Sequence, residues 1–109
     1  MKDLAEGLAA FHADMHDHIG NLTIVTMSEF GRRALENGSM MVLGGDVHRG
    51  RVHGAWPGMR EGQLIGPGDL AVTTDYRDVL SEVLVKRLKN PATDEIFPDY
   101  SPQVRNILK

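Results

Sequence analysis

Eight of the twelve glycines in this chain fall between Gly44 and Gly68, together with Pro57 and Pro67. Glycine loses the most backbone freedom on folding and proline withholds an amide donor, so this stretch favours turns over helix or strand. Short segments inside it, Arg51-Val52-His53 among them, can pair as strands, but most of it must be loop. Regular structure is therefore expected mainly from the two flanks, residues 1–43 and 69–109.

On the first flank, Leu4, Leu8, Phe11 and Met15 recur at spacings of four, three and four, which predicts an amphipathic helix over residues 2–18. Gly20-Asn21 supplies its stop. Leu22-Thr23-Ile24-Val25-Thr26-Met27 is rich in β-branched residues and apolar on both faces, the pattern of a strand covered on both sides. Met40-Met41-Val42-Leu43, closed by Gly44-Gly45, forms a second buried run. Only ten residues, from Phe30 to Ser39, separate the two runs. A parallel crossover usually takes a dozen or more. The connection is thus a tight loop, or the strands pair antiparallel, or a segment is missing.

On the second flank, Asp69-Leu70-Ala71-Val72 suits a short strand. Thr74 reads as an N-cap and Asp75 as a first-turn acid of a helix reaching about residue 89. Tyr76, Val79, Leu80, Val83, Leu84 and Leu88 would form its buried face. Lys86, Arg87 and Lys89 suit its C-terminal end, and Asn90-Pro91 stops it. In the tail, residues 91–109, Ile96-Phe97-Pro98 is expected to anchor and residues 104–108 to make a last helical turn. The whole reads as one small α/β domain or fragment spanning residues 1–109, a partial layered sheet with flanking helices.

Composition narrows the function. Fifteen acidic against twelve basic side chains leave a formal charge of −3, which argues against nucleic acid as a partner. The absence of cysteine excludes disulfides, cysteine-zinc sites and thiol catalysis. No apolar run approaches the ~18 residues of a membrane span, so no membrane partner is expected, and the N-terminus lacks a basic–apolar signal layout. Histidine and carboxylate chemistry is what remains.

Glu29 and Arg32 leave the C-terminal end of the first buried strand, where open α/β sheets bind ligands. Glu29 suits a metal ligand or a general base there, and Arg32 can fork onto a phosphate or sulfate. Their plainer use is to pair with each other or with solvent. Asp75 either ligates a metal at a strand-to-helix junction or caps the helix dipole, and capping is the favoured reading. Arg77 suits a surface pair with Asp78 or Glu82. His12 and His16, four apart on a helix, can chelate a divalent ion only with a third ligand, so a solvated face is favoured. His48, Arg49, Arg51 and His53 make a small cationic patch. The glycines around Asp46 lack the lysine-threonine end of a phosphate-binding loop, and no Gly-x-Ser-x-Gly elbow occurs.

Several blocks, in order, carry a resemblance: Val25-Thr26-Met27-Ser28-Glu29-Phe30-Gly31-Arg32-Arg33, Val42-Leu43-Gly44-Gly45, Gly50-Arg51-Val52-His53-Gly54, Trp56-Pro57-Gly58, Asp69 through Leu80, and Phe97-Pro98. Over residues 4–98 the chain resembles the C-terminal part of bacterial proteins in the family labelled domain of unknown function 1501. That family is similar to the alkaline phosphatase and sulfatase superfamily. The resemblance implies the C-terminal portion of an alkaline phosphatase-like α/β fold and a metal-dependent hydrolase ancestry. It implies catalytic positions at Glu29 and Arg32, metal positions at Asp75 and Glu29, and a divalent metal such as zinc in the parent family. The residues by themselves establish no cofactor.

Full members are several hundred residues long and usually exported, which leaves the localisation of this chain open. Two departures stand out. The family's Gly-Thr-Asp-His-Gly segment is absent where Glu36-Asn37-Gly38-Ser39 runs into Met40, and Arg49 stands where the family tends to have glycine. A phosphoryl- or sulfuryl-transfer site needs a nucleophile and a metal or arginine cluster held together. The expectation is a truncated, non-catalytic piece of a hydrolase-like protein. Two alternatives stay open: an ester hydrolase completed by a partner chain, and a small protein-interaction module. The expected partners are a second copy of the chain or the N-terminal half of the parent protein, because the buried-type strands need cover on both faces.

Overall fold

The computed structural model describes residues 2–28 and 39–109. Their order is α1 (Lys2–Asp14), a 3₁₀ turn (His16–Asn21), β1 (Thr23–Val25), β2 (Val42–Gly44), α2 (Tyr76–Glu82) running into a π turn (Val83–Arg87), and α3 (Thr93–Ile96). The character is mixed α/β, and the sheet among the described residues has two strands.

β1 and β2 pair antiparallel, with Thr23 opposite Gly44, Ile24 opposite Leu43 and Val25 opposite Val42. An antiparallel pair needs no crossover, which answers the short spacing between the two runs. The ladder is extended on one side, where the Thr26 amide donates to the Met41 carbonyl at 2.9 Å and the Met41 amide donates to Thr26 Oγ1 at 2.9 Å. Both strands are half-buried, so cover on both faces is not achieved by the elements described.

The first helix is shorter than its periodicity suggests. It ends at Asp14, and residues 16–21 tighten into a 3₁₀ turn. That turn meets β2 closely: the Gly45 amide donates to the Ile19 carbonyl at 2.9 Å. A Cβ on Gly45 would stand 2.6 Å from Gly20 Cα, so this crossing requires glycine. None of the residues of α1 is buried; Leu4 and Phe11 remain 43% and 44% exposed.

Most of the glycine-rich stretch is irregular. Arg51-Val52-His53 does not pair, and Val52 is fully exposed. Asp69 forms an isolated bridge with Ile65 rather than starting a strand. Val47 makes a second isolated bridge with Leu108.

The tail departs most from expectation. Residues 104–108 form no helical turn; they run irregularly, with Asn106 at φ 55° and the bridge to Val47 near the end. Around that bridge the His48 amide donates to the Ile107 carbonyl and the Lys109 amide to the Asp46 carbonyl, both at 2.8 Å. The buried apolar residues among those described are Val47, Val79, Ile107 and Leu108, so the tail supplies two of the four. The accessible surface is 8176 Å², against about 6,000 Å² for a compact monomer of this mass.

Candidate functional site

The strongest helix begins one residue later than the sequence suggests. Asp75, not Thr74, is the N-cap of α2: its backbone is extended (φ −78°, ψ 130°) and Oδ1 accepts from the Arg77 amide at 2.9 Å. Thr74 Oγ1 is buried and has no hydrogen-bond partner. Aspartate wins the cap because its side chain reaches the amide two residues on and adds negative charge at the positive helix end.

The same carboxylate is gripped by the Arg77 side chain. Arg77 Nε donates to Oδ1 at 2.9 Å and Nη2 to Oδ2 at 2.7 Å, a bidentate fork. This replaces the expected pairing of Arg77 with Asp78 or Glu82. The Arg77 guanidinium holds the Asp75 carboxyl below its usual range, and the carboxylate in turn raises the guanidinium. Arg77 also lies over the Tyr100 ring, 3.8 Å from its centroid. Both Asp75 oxygens thus bond Arg77, Oδ1 twice and Oδ2 once.

Asp75 borders an open cleft of about 630 Å³, shared with Met27, Ser28, Met40, Val72, Thr74 and Tyr76. Ser28 immediately precedes Glu29 in the chain, so the fold brings the end of the first strand segment to the start of α2. Glu29 and Arg32 themselves lie outside the described residues, as does the connection to Met40. Among the described residues no group of three or more histidines and carboxylates is placed to hold a metal ion. His12 is on α1 and His16 on the 3₁₀ turn, and both are exposed. His53 Nε2 is buried without a partner, and its neighbour Gly54 abuts Thr74 Oγ1, 3.2 Å from where a Cβ would sit.

A second cluster escaped the apolar periodicity. The buried residues of α2 are Asp78, Val79, Ser81 and Glu82, while Tyr76 and Leu88 of the expected apolar face are 50% and 64% exposed. Asp78 accepts from the Tyr100 hydroxyl (2.6 Å), the Gln103 amide (2.8 Å) and Arg105 Nε (2.9 Å), with Arg105 Nη2 at 2.7 Å. Glu82 accepts from Lys86 Nζ (2.9 Å) and from the amides of Leu108 (2.8 Å) and Arg105 (3.2 Å). Lys86 Nζ also reaches the Leu108 carbonyl at 2.6 Å.

Burial works against ionising either acid, yet these donors outweigh it and both carboxyls are lowered. Bonded to Asp78, the Tyr100 phenol is pushed up to about 12. The only sequence signal was the i, i+4 pair Glu82–Lys86, which reads as an exposed helix pair.

A family model described as protein of unknown function (DUF1501) matches residues 1–84. The chain belongs to that family. The DUF1501 match takes in the sheet, the cleft residues, Asp75, Asp78 and Glu82, while residues 85–109 lie beyond it. No curated protein and no solved structure matches the chain.

Proposed function

We propose that this DUF1501 chain is a non-catalytic portion of an alkaline phosphatase- or sulfatase-like hydrolase. In this reading its apolar faces are covered by a second polypeptide, which is the N-terminal half of the parent protein or another copy. The observation that supports it most is α1, a thirteen-residue amphipathic helix with no buried residue. Isolated helices of about 12–15 residues are marginal in water, and their stability in proteins comes from packing an apolar face. Leu4 and Phe11 lack that packing, and Met27, Trp56 and Val72 are also exposed.

The chemistry at Asp75 agrees. With both oxygens held by Arg77, this carboxylate organises the start of α2 and one wall of the cleft. Among the described residues no group of three or more histidines and carboxylates is placed to hold a metal with it. Glu29 and Arg32 are the residues proposed to meet substrate once the cleft is completed.

The test is an aryl phosphate and aryl sulfate hydrolysis assay with zinc, run beside sedimentation of the same sample. The chain alone is expected to associate and to give no turnover above the buffer rate. Metal-dependent turnover by a monomer, lost in Glu29→Ala, would overturn the proposal.

A further inference from the structure

We propose that the C-terminal segment, residues 100–109, is a strap latched onto α2 by ionised Asp78 and Glu82, and that protonating these acids releases it while β1 and β2 stay paired. Three backbone amides of the strap (Gln103, Arg105 and Leu108) are satisfied by the two carboxylates rather than by a helix or sheet ladder. Two of its side chains, Tyr100 and Arg105, end on Asp78. Two main-chain bonds tie it to the 46–48 turn, at Ile107 and Lys109, the Tyr100 amide bonds the Phe97 carbonyl, and the Leu108 carbonyl accepts from Lys86 Nζ. The strap's polar bonds to α2 are made chiefly to acceptors that exist in full only when charged, beside the buried side chains of Ile107 and Leu108.

The surroundings are arranged for that charge. From α2 and its π turn, Arg77 stacks on Tyr100, Lys86 bonds Glu82, and Arg87 Nη1 reaches Asp46 Oδ2 at 3.1 Å. From the strap itself come Tyr100 and Arg105, with Lys109 at its end. The 46–48 turn contributes Asp46, already held by Arg87, and His48, whose amide bonds Ile107. Protonating Asp78 or Glu82 leaves Arg105 and Lys86 without a charged partner and turns one acceptor oxygen of each acid into a donor facing other donors.

The sign follows from the direction of the shifts. Both acids are lowered in the fold. The latch is therefore complete above the ordinary carboxylate range and is lost as the pH falls through the lowered values. Release breaks the bridge between Val47 and Leu108 and exposes the buried Ile107 and Leu108 side chains.

Amide correlation spectra of the whole chain between pH ~7 and pH ~2 test this, with the Asp78 and Glu82 carboxyl carbons followed in parallel. The amides of Gln103, Arg105 and Leu108 are expected to move to unstructured shifts in step with the two carboxyls, while Ile24 and Leu43 keep theirs. A doubly substituted Asp78→Asn, Glu82→Gln chain should show the released strap already at neutral pH. Should that variant fail to fold, the wild-type titration decides alone. Carboxyls that titrate while the strap amides stay native would overturn the proposal. So would simultaneous loss of strap and strand signals in one step, or a strap already unstructured at neutral pH.

Discussion

The Tyr100 hydroxyl donates to Asp78 Oδ1 at 2.6 Å across 22 residues of sequence. It joins two ion-pair systems into one line: Asp75 holds Arg77, Arg77 stacks on Tyr100, Tyr100 bonds Asp78, and Asp78 holds Arg105. The start of α2 and the end of the chain are thereby braced against each other.

Removing Asp78 should cost more stability than removing an exposed acid. Asp78→Ala leaves the Tyr100 hydroxyl, the Gln103 amide and the Arg105 guanidinium without their acceptor, and its side chain is only 1% exposed. A loss of about 3 kcal/mol is expected. Urea denaturation read by circular dichroism measures it; a change within about 0.5 kcal/mol, the range of ordinary surface substitutions, contradicts the role.

Asp75→Ala should cost about 1 kcal/mol, the usual value of a lost helix N-cap. Asp75→Asn keeps an oxygen for the Arg77 amide and loses only a partly exposed ion pair, so most of the stability should return. Equal losses in the two variants would mean that the ion pair, and not the cap, matters.

Gly45→Ala and Gly20→Ala make an asymmetric pair. A methyl on Gly45 meets the Gly20 backbone, whereas one on Gly20 meets nothing within 4 Å. The first should lower stability by roughly 1–3 kcal/mol through overpacking. The second should be neutral or mildly stabilising. Thermal melts of both variants check the order.

Tyr100 should titrate late. In a Tyr76→Phe background, which leaves Tyr100 as the chain's single tyrosine, phenolate absorbance is expected only near pH 12. Asp78→Asn in the same background should return the transition to about 10, the ordinary phenol value. A transition near 10 in both proteins contradicts the hydrogen bond to Asp78.

Acid should weaken the fold as a whole. Asp75, Asp78 and Glu82 are all lowered, so each contributes stability that is present above the ordinary carboxylate range and lost as pH falls through its folded value. The urea midpoint should be flat between about pH 6 and 8 and fall below about pH 4. A midpoint that rises on acidification would reverse the sign.

Local chemistry was legible in the chain itself. Although α1 ends at Asp14, before the expected stop at Gly20-Asn21, the strand at Thr23–Val25, the turn at Gly44-Gly45 and the helix after Thr74 each follow from side-chain spacing and turn residues close in sequence. So did the capping use of Asp75, although the cap itself moved one residue. The DUF1501 blocks within residues 1–84 were legible for the same reason, being short runs of residues adjacent in sequence. The ten-residue gap left several connections open, and the antiparallel register decided among the strand pairings.

Tertiary structure alone decided which face of α2 is buried. Apolar periodicity pointed to Tyr76, Val79, Leu80, Val83, Leu84 and Leu88, of which Val79 is buried, and it carries no information about a polar face covered from 20 or more residues away. Asp78 and Glu82 are buried because the strap brings its own donors: Tyr100, Gln103, Arg105 and Leu108 replace the water these carboxylates would otherwise keep. The helix 104–108 was lost by the same exchange, since amides bonded to a neighbouring carboxylate are not free for a carbonyl four residues back. The sequence by itself determined where elements begin and turn; only the fold determined which charges could leave water, because that depends on partners brought together from far along the chain.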